Sequence, residues 1–277
     1  MSDFPHSGGT KTISSGVGTG TKGIAVTVSA TANTMGSIVE LIASTSAQTS
    51  GLYVTFTDYS FVTAAPQGFL VDIMIGGAGS EVALVEGLVV FSDDAYDRAD
   101  LRAYSIPIKI PSGSRISARA QSPSSDADSL QIIVSAVVGT LASFVGYGVC
   151  ESLGFSKSTS SGTPVDAGGT SNTKGAWTEI APTSNGMNGF CLSISANLNT
   201  AQSSLTFMMD IGYGSVGNEV VAAENIFSFS AASEDTWTDT SFYPVKIPSG
   251  VRVAARLQCS GNTAADRVRD LVIHGVR

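Results

Sequence analysis

Any chemistry in this chain would have to come from a small set of polar side chains that occur twice. Arg115 and Arg119 stand four apart, as do Arg252 and Arg256, and on a strand that spacing turns both guanidinium groups to one face. Asp72 and Glu81 flank a glycine-rich turn, and Asp210 and Glu219 flank a second one. Two uses fit these residue types. The arginines can pair with the carboxylates and clasp turn to strand, or they can bind an anionic sugar or a partner's carboxylate. The clasp is favoured, because both sets are kept whole while duplicated domains usually diverge at their binding sites.

The remaining candidates are weaker. Asp93, Asp94, Asp97 and Asp100 cluster, whereas the later stretch offers Glu234, Asp235 and Asp239 at other spacings. Paired carboxylates can hydrolyse glycosides and an acidic loop can hold calcium, but a solvated loop suits the unmatched spacing best. With Trp237, expected in a loop, these four aspartates are the candidate contacts to glycan or calcium. His6 and His274 are the only histidines, so a Ser-His-Asp triad would need His274, which has no counterpart in the first set. No histidine or cysteine spacing suits zinc, and no cofactor or metal is expected. Gly212-Tyr213-Gly214-Ser215-Val216-Gly217 reads as GxGxxG, but Met74 replaces the first glycine in the earlier copy. A tight turn between strands fits better than a nucleotide loop.

The elements that hold these residues are duplicated. Asp72, Gly76, Gly79, Glu81, Val82, Glu86, Phe91 and Ser92 recur 138 positions on. Pro107, Lys109, Ile110, Pro111, Ser112, Gly113, Arg115, Ala118, Arg119 and Gln121 recur 137 positions on, and Glu40 matches Glu179. The expected organisation is an N-terminal arm (1–35), a first domain (36–139), a Gly/Ser/Thr-rich linker (140–175) and a second domain (176–277). Apolar residues alternate with polar ones, as in Leu52, Val54 and Phe56 or Val251, Val253, Ala255 and Leu257, which is the half-buried strand pattern. The Ile-Pro-Ser-Gly turns before Arg115 and Arg252 agree. Only residues 93–104 leave room for a short helix. The predicted fold is all-β, two tandem jelly-roll-like β-sandwiches behind an extended arm.

Composition excludes several classes. The 277 residues are 14% charged and 43% hydrophobic with a net charge of −8, which suits neither a disordered chain nor one that binds nucleic acid. Residues 130–149 are uncharged but diluted by Gly139, Gly146 and Gly148, and their later match carries Arg269 and Asp270, so no membrane span is expected. Cys150, Cys191 and Cys259 are too few for a disulfide framework, and residues 1–23 hold no apolar signal core. Synthesis in a reducing cytosol is expected.

The pattern Asp-x3-Gly-x2-Gly-x-Glu from Asp72, followed by Pro-x-Lys-Ile-Pro-Ser-Gly-x-Arg-x2-Ala-Arg-x-Gln from Pro107, resembles segments of virion proteins from tailed bacteriophages and gene transfer agents. That resemblance implies a non-enzymatic structural component of a virion: a head decoration, spike, fibre or tail part. It further implies attachment through the arm, assembly in the host cytoplasm, contact with other virion proteins, and a homo-oligomer with a trimer favoured. A carbohydrate-binding module touching host glycans is the alternative, and a glycan depolymerase a second one.

Overall fold

The computed structural model describes residues 11–14, 22–60, 67–92, 102–138, 147–196, 205–230, 237–238, 241–264 and 266–277. The first half holds β1 (Lys11–Ser14), β2 (Ile24–Thr27), β3 (Val39–Ile42), β4 (Thr49–Ser60), β5 (Gln67–Ile75), β6 (Val82–Ser92), β7 (Arg102–Ile106), β8 (Ile116–Gln121) and β9 (Ser129–Val138). The second holds β10 (Cys150–Leu153), β11 (Thr163–Asp166), β12 (Thr178–Ala181), β13 (Gly189–Ala196), β14 (Leu205–Tyr213), β15 (Val220–Ser230), β16 (Trp237–Thr238), β17 (Val253–Cys259) and β18 (Val268–Val276). The chain is all-β, and its two tandem sandwiches are jelly-roll-like.

In domain 1, β9 is flanked by β4 on one side and by β1 and β2 on the other, with β7 beyond β4. The facing sheet runs β3-β8-β5-β6. Domain 2 repeats this: β18 carries β10, β11 and β13, and the facing sheet runs β12-β17-β14-β15-β16. The alternation read from sequence places Leu52, Val54 and Phe56 wholly inside domain 1, and Phe190, Leu192 and Ile194 inside domain 2. Tyr104 meets Phe56 edge-on and donates its hydroxyl to the Val89 carbonyl at 2.9 Å, which satisfies its one polar atom in the core.

Two expectations change. Residues 140–175 are not simply a linker, and residues 1–35 are not simply an arm. Strands β10 and β11 complete the β18 sheet as β1 and β2 complete the β9 sheet. Asn33 and Asn172 take the same left-handed conformation (φ 54° and 56°) and donate their N–H groups to equivalent carbonyls, Ser122 and Cys259. Each sandwich therefore begins at its own short N-terminal strands, and the repeat spans nearly the whole chain. Four-residue strands whose partners lie more than a hundred residues away leave no local periodicity. One edge of β1 pairs with β9 of its own chain. Part of the segment expected to be helical is β7, and residues 93–101 lie outside the described residues. No helix among the described residues is long and apolar enough to cross a membrane.

The two sandwiches share a seam. The outer face of β5–β6 packs against β10, β13 and β18, with Leu70 and Val89 buried on Val272. Phe155 presses on Gly87, whose φ is +69° and whose missing Cβ would lie 2.7 Å from the ring, so only glycine fits there.

Candidate functional site

The structure brings each duplicated charged set together. Arg119 lies opposite Asp72 in the β5–β8 ladder and binds its Oδ2 through Nε (3.0 Å) and Nη2 (2.9 Å). The other oxygen accepts the Gly87 N–H at 3.1 Å, so the buried carboxylate also holds the bulge in β6. In domain 2, Arg256 Nε meets Asp210 Oδ2 at 2.8 Å, and the Asn225 N–H meets Oδ1 at 2.9 Å. Asn225 stands where Gly87 does and is also left-handed (φ 56°). Lys174 adds a second cation at 2.6 Å. Burial alone would raise the Asp210 carboxyl; the Lys174 ammonium, the Asn225 N–H and Arg256 outweigh it and hold it below the usual range.

Arg115 binds Glu81 through Nη1 and Glu40 through Nε (2.8 Å). Arg252 binds Glu219 at 2.9 Å and Glu179 at 3.0 Å. The Glu81 carboxyl is lowered first by its own backbone N–H and then, against burial, by Arg115 and the Gly79 N–H. Glu40 and Glu179 are thus third members of each group, a role their recurrence in the sequence could have suggested. The GxGxxG stretch is the β14–β15 hairpin turn, with Gly214 and Gly217 at φ 119° and 81°.

Other candidates fare differently. Asp93, Asp94, Asp97, Asp100, Glu234, Asp235 and Asp239 lie outside the described residues. Trp237 does not lie in a loop: its backbone pairs with Phe229 in the edge strand β16. Trp177 is half-buried, with the Arg256 guanidinium 4.7 Å above its ring. His274 is fully buried between Ser152 (Nδ1, 2.9 Å) and Ser193 (Nε2, 2.8 Å), and burial alone drives its pKa down to about 3. It is a neutral bridge between strands, and both ring nitrogens face serine hydroxyls where a catalytic base would have a carboxylate on one. No metal-holding group of histidine, cysteine and carboxylate side chains occurs among the described residues.

One concavity was not anticipated from the sequence. A groove of about 740 Å³ opens beside the seam, walled by the β10–β11 connection, by Asn33 and Pro123 of domain 1, and by Ile180 and Asp270 of domain 2. The connection is braced from within: Ser156 and Ser161 exchange backbone hydrogen bonds, and Thr163 Oγ1 donates to the Gly154 carbonyl at 2.9 Å. Domain 1 grips it from outside. Gln121 Nε2 donates to the Lys157 carbonyl (2.6 Å) and to Ser160 Oγ (2.9 Å), Ser160 donates to Asn33 Oδ1 (2.8 Å), and Lys157 pairs with Glu86 (2.8 Å). Ser156, Ser158, Thr159, Ser161 and Thr163 line the wall with Phe155, and their hydroxyls pair Ser156 with Ser158 (3.0 Å) and Thr159 with Ser161 (2.7 Å). Asp270 is almost wholly buried in that wall, and burial, only partly opposed by Arg269, pushes its carboxyl up to about 7. Its sequence signal was a carboxylate beside Arg269 in the largely apolar strand β18.

No family model and no curated protein match this sequence. Two solved structures are similar in fold. One is PNGF-II, at TM-score 0.44 and 10% identity over 95% of this chain. This chain spans 65% of that one. The other is PNGase F, a glycosylasparaginase from Flavobacterium meningosepticum, at TM-score 0.34 and 10% identity, covering 97% of this chain and 96% of that one. Neither is a virion protein, and the expectation of a non-enzymatic structural component of a phage virion is corrected on that ground. The residues behind it form turns and ion pairs that tie neighbouring strands of one sheet together, so they report how that sheet is built. Likeness this distant concerns the fold alone and lends no activity to this chain.

Proposed function

We propose that this chain is a ligand-binding module whose site is the groove beside the seam, and that it takes a neutral, polyhydroxylated ligand of the sugar class. One observation carries the reading: a braced wall of five hydroxyls stands next to an aromatic ring and a buried carboxyl that forms no ion pair with any described residue. Concave sites of this kind bind through a few fixed polar groups beside an apolar surface. Hydroxyl-bearing ligands both donate and accept, which matches serine and threonine side chains and a carboxyl able to do either near pH 7. Binding fits better than turnover, because glycoside hydrolysis uses two carboxyl groups and Asp270 is the one carboxyl on the wall among the described residues.

Titration of the protein with neutral mono- and oligosaccharides, followed by amide NMR, tests this. Shifts should concentrate at residues 154–164, and Asp270→Ala should weaken binding at least about tenfold, the loss of one hydrogen bond to a charged or buried group. Shifts spread elsewhere, or an Asp270→Ala variant that binds as well as the parent, would overturn the assignment.

A further inference from the structure

The seam uses one face of each sandwich, and duplication leaves the complementary faces partly exposed. On domain 1 the seam is built on the cross-strand pair Leu70 and Val89, both buried. The same pair in domain 2 is Met208 and Phe227, opposite one another in the β14–β15 ladder and 38% and 36% exposed. Val221, opposite Gly212 in the same ladder, extends this face at 41% exposure. On domain 2 the seam is built on Val272, paired with Ser193. Its domain 1 counterpart is Ile133, paired with Thr55 in the same register, and both are partly exposed. Glu86, which reaches across the seam to Lys157, has its counterpart in Glu224, which is exposed.

We propose that a second copy of this chain covers these faces: the β14–β15 face of one molecule docks on the β4–β9 face of the next and repeats between chains the contact already made within each. The occupant follows from the repeat, because the surface that fits a Leu70/Val89-type face is a Val272-type face, and each molecule carries one partly exposed copy of each. An apolar patch on an otherwise polar strand surface is the kind that marks an interface. Such a contact joins unlike surfaces, so association proceeds head to tail and closes into a ring only if the rotation per step allows it.

The experiment is sedimentation or light scattering of the full chain across a concentration series, with variants on either face. The parent should gain mass in steps of one chain as concentration rises. Phe227→Asp should lose association, and so should Ile133→Asp, each by at least about thirtyfold, the lower range for burying an unpaired charge in an interface. Thr55→Arg repeats the second test at a more tolerant position should Ile133→Asp fail to fold. A mixture of Phe227→Asp with Ile133→Asp or Thr55→Arg should form a one-to-one pair that stops there, since each partner retains one intact face. A parent that stays monomeric throughout, a Phe227→Asp variant that associates like the parent, β4–β9 variants that do so, or a mixture that fails to pair would each overturn the proposal.

Discussion

At the scale of single residues, the two buried aspartates do the most. Asp72 joins three strands through one side chain: it sits on β5, binds Arg119 on β8 and holds the Gly87 bulge on β6. Removing one partner of a buried ion pair costs about 3–5 kcal/mol, and partial exposure of Arg119 lowers the figure here. We expect Asp72→Asn to destabilise domain 1 by about 2 kcal/mol in urea unfolding. Adding Arg119→Ala should cost little more, because residues acting as a unit are not additive. Fully additive losses would show that the contacts are independent. The glycine-to-asparagine change between Gly87 and Asn225 has a packing cause: both positions are left-handed, but only Gly87 lies beneath Phe155.

At the scale of elements, β18 carries two groups displaced in opposite senses. Asp270, ordinarily near 3.8, is pushed up to about 7, so between pH 4 and 7 the folded chain keeps a proton that the unfolded chain has lost. Stability from this group therefore falls as pH rises through that window. His274, ordinarily near 6.5, is driven down to about 3, so the folded chain lacks a proton the unfolded chain carries, and stability falls as pH drops below 6.5. The slopes oppose each other between about pH 4 and 6.5, each limited to about 1.4 kcal/mol per pH unit. Urea midpoints should show it: Asp270→Asn leaves the histidine slope and steepens the loss in acid, while His274→Gln leaves the aspartate slope and makes stability decline from pH 4 towards 7. Unchanged profiles in both variants would mean that neither group titrates as the burial implies. This strand also marks what could be read beforehand. The alternation of Leu52, Val54 and Phe56 and the repeated Pro-x-Lys-Ile-Pro-Ser-Gly turns carry the sandwich class plainly, and Asp72 with Arg119 was recognisable as a pair. The groove was not, because its wall belongs to a Gly/Ser/Thr stretch whose shape comes from Gln121, Asn33 and Glu86, far away in the chain.

At the scale of the whole molecule, the seam decides whether two sandwiches behave as one body. It rests on few apolar side chains, with Phe155 and Lys157 fastening the groove wall to domain 1. The groove needs both domains, since Asn33 and Pro123 close it from one side and Asp270 from the other. Loosening the seam should therefore weaken ligand binding. Gly87→Val, which puts a branched side chain at a left-handed position under Phe155, is the most direct way to do this.

The cysteines turn that seam into its own clock. Cys150 and Cys191 lie along it, Cys191 fully enclosed, and burial pushes the Cys150 thiol up to about 12 and the Cys191 thiol higher still. Cys259 is enclosed within domain 2. A maleimide or disulfide reagent attacks the thiolate, so at pH 8 it must wait for the halves to part before reaching Cys191, and for domain 2 to unfold before reaching Cys259. The ratio of the two labelling rates then measures how often the molecule yawns open without melting, with no foreign probe added, and Gly87→Val should raise that ratio.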